Sequence, residues 1–349
     1  MAEDILVLRL SSLGDVVLTS SFLQSAAEHF PGARITFVVR DDLSEVAGAL
    51  PHVAQVVPVR RAGGLGELRV TAGALARTPW AHVFDLHRSL RSRLLTLRLG
   101  SRLRPGFDKQ ELPRWMLVHC KRDIYARFGG STPMRERMLA PLGRLGFAPR
   151  LHPTRLVVPA AARARAATAL GPSATDARAP LVGLVPGARW PSKRWPAERY
   201  AALATRLAAE CGARLVLVGG AADREACSEV ARAAGPSCTD LAGELGILET
   251  AAVLERCALV IANDSGLLHV AEAVGRPVLG FFGPTAPQFG YTPYRAASRM
   301  LRQPPPCSPC SKNGSRPCSR PTHECMENIS VGSAFAAAAD MLQQLATAG

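Results

Sequence analysis

Three short stretches combine residue types that could act on an anionic, sugar-bearing ligand. "SSLGD" (residues 11–15) follows an apolar run and places Asp15 at the start of a helical pattern. There a carboxylate could cap the helix or act as a general base. "PGARWPSKRWP" (186–196) is a Pro- and Gly-rich loop in which Lys193 stands between Arg189 and Arg194. Such a cluster suits a diphosphate, with lysine acting as a point charge, although an isolated basic loop is more often only solvated. "NDSGLLH" (263–269) closes a third apolar run. Asp264 and Ser265 are good caps, yet strand-to-helix turns of this kind also hold phosphates and sugars. His269, in the first helical turn, would be kept neutral by the positive end of the dipole and so could hydrogen-bond a ligand.

The elements that must position these residues follow a βαβ rhythm. Strands are expected at Ile5–Leu10, Ile35–Val39, Val56–Val59 and Val83–Leu86, then at Leu181–Val185, Leu215–Val218, Leu259–Ala262 and Val278–Phe282. Helices are expected at Val16–His29, Ala197–Glu210, Thr250–Arg256, Leu267–Val274 and Val331–Ala348. The expected fold class is α/β, two Rossmann-like domains facing a central cleft. The expected boundaries are 1–170 for an acceptor-side domain, 171–180 for a linker, 181–330 for a donor domain and 331–349 for a C-terminal helix.

At 349 residues the chain is too long for one ordinary core. Its net charge of +14 points to an anionic partner: nucleotide, nucleic acid, phospholipid or glycolipid. Residues 60–128 carry fifteen Lys or Arg against five Asp or Glu. No run reaches the ~18 apolar residues of a membrane span, and the N-terminus lacks the pattern of a signal peptide, so a cytoplasmic protein is expected. "SSLGDVVLTS" is not a G-x-G-x-x-G turn, which disfavours a nicotinamide dinucleotide. No Asp-x-Asp metal motif is evident.

"CSPCSKNGSRPCSRPTHEC" (307–325) offers Cys307, Cys310, Cys318 and Cys325 as a candidate structural zinc set, although the spacing is not that of a standard ribbon. Nine cysteines, an odd number, fit a reducing compartment better than a disulfide framework.

Residues 241–287, with Asp264, Ser265, Gly266, His269 and Phe282-Gly-Pro-Thr285, resemble the C-terminal signature of glycosyltransferase family 9, the lipopolysaccharide heptosyltransferases. Lys193-Arg-Trp-Pro196 matches the family's Lys-x-Trp-Pro element, and Ser11 to Asp15 matches its Ser-Ser-x-Gly-Asp. The resemblance spans Ile5 to about Ile329 and is heptosyltransferase II-like.

It implies a GT-B fold and inverting transfer from ADP-heptose, with no required cofactor, to a lipid A–Kdo–heptose acceptor of the inner core. It further implies Asp15 as general base, and a donor site at Ala188, Arg189, Lys193, Asp264, Ser265, Gly266 and His269. Where the family often has hydroxyl residues before the lysine, Ala188 and Arg189 stand instead, so that Arg189 would supply charge there. Ser12, Gly14, Arg88, Arg91 and Arg93 are the candidate acceptor contacts, the arginines lying in "HRSLRSRLLTLR" (87–98). A protein of this kind would visit the cytoplasmic face of the inner membrane and need no nucleic acid. Two alternatives stay open on the residues alone: another GT-B sugar transferase or epimerase, and a zinc-bearing nucleic-acid binder.

Overall fold

A computed structural model describes residues 3–97, 99, 103–104, 106–171, 179–320 and 322–348. Most of the expected linker, residues 172–178, lies outside the described residues. The chain divides into two compact units, Met1–Lys109 with Thr132–Val157, and Gln110–Ser131 with Val158–Gly349.

The first unit is built on a five-stranded sheet in the order β3-β2-β1-β4-β5. Its strands are β1 (Asp4–Leu8), β2 (Arg34–Arg40), β3 (Val53–Val59), β4 (His82–Asp85) and β5 (Leu103–Arg104). All four pairings are parallel. β1 carries the register of the unit, setting Ile5 beside Ile35 on one side and His82 on the other. Parallel strands covered on both faces read as continuous apolar runs, and Ile5 to Leu8 have no exposure at all. The helix Leu13–His29 covers one face, buried along nearly its whole first half.

The second unit holds a six-stranded parallel sheet in the order β11-β10-β9-β6-β7-β8. The strands are β6 (Leu181–Val185), β7 (Arg214–Leu217), β8 (Cys238–Asp240), β9 (Leu259–Asn263), β10 (Val278–Phe281) and β11 (Arg299–Leu301). The helix Ala197–Cys211 packs on it through Tyr200, Leu203, Ala204 and Leu207, a spacing that makes one apolar stripe. Gly212, in the left-handed region at φ +61°, ends that helix.

The eight strands expected from the sequence are present, seven of them within two residues at each end and β3 starting three residues earlier than expected. β5, β8 and β11 were not expected. Each has two or three residues at or next to a sheet edge, too short to show a hydrophobic period. Helix Gly266–Ala273 starts one residue earlier than its apolar pattern suggested, because Gly266 is already helical behind Ser265.

In both sheets the order reverses once, between β1 and β4 in the first and between β6 and β9 in the second. Ligands of open α/β sheets bind outside the carboxyl ends of strands at such switch points. Asp15 follows β1, Lys193 follows β6 and Asp264 follows β9.

Candidate functional site

In the second unit, β9 ends on Asn263, which is fully buried and holds both ends of the 186–196 loop. Its Oδ1 accepts the Trp195 N–H at 3.0 Å, and its Nδ2 donates to the Pro186 carbonyl at 2.7 Å. The next residue, Asp264, accepts from Thr285 Oγ1 at 2.7 Å through Oδ2 and lies 2.7 Å from Lys193 Nζ. Three separate loops, after β6, β9 and β10, are thus joined at one carboxylate. Asp264, a good cap by its place in the sequence, is here also the ion-pair partner of Lys193.

Ser265 is extended at φ −140° and precedes the first turn of Gly266–Ala273. Its Oγ is buried with no hydrogen-bond partner among the described residues. A buried hydroxyl costs free energy when unpaired, and this one sits beside the N–H groups of a helix start. Those donors and Lys193 make a positively polarised corner of the kind that receives phosphate. His269 is buried in the same helix, its ring 6.1 Å from that of Tyr291.

The other two basic residues of the 186–196 loop behave differently. Arg189 is exposed and lies over the Trp190 ring at 5.0 Å. Arg194 is engaged by the Ala188 carbonyl at 2.9 Å and by Asp223 at 3.4 Å, so its charge serves the loop itself. Ala188 is buried. Asp223 also crowds Gly187, where a Cβ would stand 2.2 Å from its Cγ and force the carboxylate to move.

In the first unit, Asp15 is gripped from two sides. Oδ2 accepts from Ser12 N at 3.1 Å and from Ser12 Oγ at 2.9 Å, while Oδ1 lies 2.5 Å from Arg9 Nη2. Arg9, almost fully buried at the end of β1, also donates to the Leu86 carbonyl. Gly14 is buried under this turn. His87, the residue after Leu86, lies among these charges. Burial, with Arg9 and Lys109 close by, pushes its imidazole down to about 4 against the opposing pull of Asp15 and Asp85, so it is neutral near pH 7. Asp85 holds this turn by accepting from the backbone N–H groups of His87 and Arg88 at 2.9 and 2.8 Å and from Ser92 Oγ at 2.8 Å.

The three arginines named as acceptor contacts divide. Arg91 donates to the carbonyls of Arg61, Arg60 and Gly63 at 3.0, 2.8 and 3.3 Å, which makes it a clamp on that loop. Arg88 is in the left-handed region at φ +51° and donates to the Phe107 carbonyl. Arg93 is exposed in the last turn of the helix Leu90–Thr96.

The four cysteines of residues 307–325 are neighbours. Burial, with Cys310, Cys318 and Cys307 nearby, pushes the Cys325 thiol up to about 12, and burial raises Cys310 as well. Among the described residues no group of three or more His, Cys, Asp or Glu is placed to hold a metal ion.

The family model of glycosyltransferase family 9 (heptosyltransferase) matches residues 71–318. The chain belongs to this family. As a glycosyltransferase of family 9, it is 28% identical over 315 residues to lipopolysaccharide heptosyltransferase 2 of Escherichia coli strain K12, covering 85% of this chain and 87% of the relative. It is 30% identical over 322 residues to lipopolysaccharide heptosyltransferase 1 of Pseudomonas aeruginosa strain PAO1, covering 88% and 86%. Among solved structures, E. coli ADP-heptose lps heptosyltransferase II superposes with a TM-score of 0.74 at 24% identity, over 98% of this chain and 99% of that one. The family 9 enzyme therefore has the GT-B type of fold expected from its sequence.

Arg9, His87, Asn263 and Thr285 are site residues to which sequence reading gave no role. Arg9 and Asn263 did carry a signal, since each is a polar residue at the end of an apolar strand run, where only a paired group is tolerated.

Among the described residues no helix is long and apolar enough to cross a membrane.

Proposed function

We propose that this glycosyltransferase moves heptose from ADP-heptose to a lipid A–Kdo–heptose acceptor of the lipopolysaccharide inner core, with inversion. The observation that carries the reading is the corner formed by Lys193, Asp264 and Thr285 beside the unpartnered hydroxyl of Ser265. The names of the relatives and of the superposed structure supply the sugar and the acceptor class.

In this mechanism the donor diphosphate lies on the backbone N–H groups at the start of Gly266–Ala273, with Ser265 Oγ donating to a phosphate oxygen. As the bond from the anomeric carbon to the bridging oxygen breaks, negative charge grows on ADP. Lys193 and the helix start stabilise that charge, being fixed before the reaction begins. Asp264 holds the lysine ammonium in place through its own carboxylate. Arg189, exposed at the loop, adds positive charge toward the donor.

The acceptor hydroxyl loses its proton to Asp15 as its oxygen attacks the anomeric carbon from the face opposite the leaving group. Ser12 and Arg9 hold that carboxylate in one orientation, Ser12 through two hydrogen bonds to Oδ2 and Arg9 through Oδ1. The base and the charge-stabilising groups are then all residues of the chain. The reaction is placed at the cytoplasmic face of the inner membrane, where the basic first unit meets an anionic glycolipid.

Mass spectrometry of an inner-core acceptor mixture incubated with ADP-heptose tests the reading. A product heavier by one heptosyl residue is expected, together with release of ADP. Hydrolysis of the donor without a change in any acceptor would overturn it.

A further inference from the structure

The cysteine-bearing loop is unused by the mechanism above, yet its backbone lies against the donor-site lysine. Gly314, in the left-handed region at φ +85°, has no side chain, and a Cβ there would stand 2.6 Å from Lys193 Cε and 2.8 Å from its Cγ. The Gly314 carbonyl accepts from Ser192 Oγ at 2.5 Å, fixing the residue just before the lysine. Ser311, buried in the same loop, accepts the Gly314 N–H at 2.9 Å and so shapes the turn that presents it.

The loop is anchored in turn to the residues that hold Asp264. Cys310 N and Ser311 N donate to the Pro284 carbonyl at 3.1 and 3.3 Å, and Ser308 Oγ donates to the Gly283 carbonyl at 2.7 Å. The next residue in that segment is Thr285, whose hydroxyl donates to Asp264. From outside, Lys121 Nζ grips the carbonyl of Cys307 at 2.6 Å and that of Pro309.

We propose that the 307–318 loop is a positioning device for the donor-site lysine: Gly314 walls the aliphatic stem of Lys193, while the loop's hydrogen bonds to the Gly283 and Pro284 carbonyls brace the segment from which Thr285 sets Asp264 at its head. The inference rests on the reading of Lys193 as the diphosphate contact. Its physical basis is the entropy of a four-carbon stem with rotatable donors, which a ligand would otherwise have to restrict on binding. A stem already confined between a glycine backbone and a carboxylate presents its charge at one point.

Calorimetric titration of the full chain with ADP tests this, using Ser192→Ala, Lys193→Ala and the double variant, with the thermal midpoint of each recorded. Ser192→Ala removes only the hydroxyl that ties the turn to Gly314. It should raise the ADP Kd about 3–10-fold, the scale of one lost hydrogen bond, and leave the acceptor KM unchanged. In the Lys193→Ala background the same change should have no further effect, because the stem it positions is gone. Gly314→Ala should reproduce the loss, with a lower midpoint from its positive φ.

Two results overturn the proposal while leaving the lysine assignment standing. One is an unchanged ADP Kd in Ser192→Ala when Lys193→Ala binds weakly. The other is an equal loss with and without Lys193. If Lys193→Ala itself binds ADP normally, the donor-site reading fails, and the positioning proposal fails with it.

Discussion

Lys193 Nζ and Asp264 Oδ2 stand 2.7 Å apart, with side chains 13% and 8% exposed. A buried pair of this kind is costly to break by removing one member, because the other is left uncompensated. It also means that Lys193 offers no bare charge to a ligand. Its attraction for a diphosphate is tempered by the carboxylate, and what the pair supplies is a fixed direction.

Lys193→Ala should therefore weaken ADP and ADP-heptose alike, by about 10–100-fold, the range for a hydrogen bond to a charged group. It should lower the thermal midpoint too, since Asp264 loses its counter-ion. Adding Asp264→Asn should restore most of the midpoint and none of the affinity. Calorimetry and thermal melts on the two variants check both halves.

Asp15→Asn keeps the shape of the turn and abolishes the base. Turnover should fall roughly 10²–10⁴-fold while donor affinity stays nearly intact. Turnover close to that of the parent enzyme would remove Asp15 from the mechanism.

His87 sets a pH dependence. Its imidazole is near 4 when folded and near 6.5 when unfolded, so below pH 6.5 the unfolded chain binds the extra proton. Stability from this group is complete above about 6.5 and is lost as pH falls toward 4, on the order of 3 kcal/mol in all. Denaturant melts across that window should show the slope in the parent and a flatter one in His87→Gln.

Arg91 and Arg93, two residues apart, should respond in opposite ways. Arg91→Gln removes the clamp on three backbone carbonyls and should cost stability, about 1–3 kcal/mol, with little change in acceptor KM. Arg93→Gln, on an exposed face, should leave the midpoint alone and raise the acceptor KM, an effect that added salt reproduces in the parent. Equal acceptor kinetics in Arg93→Gln and the parent would assign the charge another purpose.

Eight strands, the parallel βαβ order and the positions of Asp15, Lys193 and Asp264 at strand ends were legible in the sequence. Local patterns carry them: buried parallel strands are unbroken apolar runs, and the turns that follow them need Gly, Ser, Asp and Asn. The resemblance to family 9 lay in such turns as well. What each charged residue spends its charge on was not legible. Arg189, Lys193 and Arg194 look alike as a basic loop, yet one stacks on Trp190, one pairs with Asp264 and one braces Asp223. Arg88, Arg91 and Arg93 look alike as a basic helix start, yet Arg91 holds a loop thirty residues earlier in the chain. Partners so distant in sequence meet only when the strand order is set, because a side chain pairs with whatever the sheet brings beside it. Gly314 is the limiting case, a residue with no chemistry of its own whose place against the Lys193 stem exists only in the folded chain.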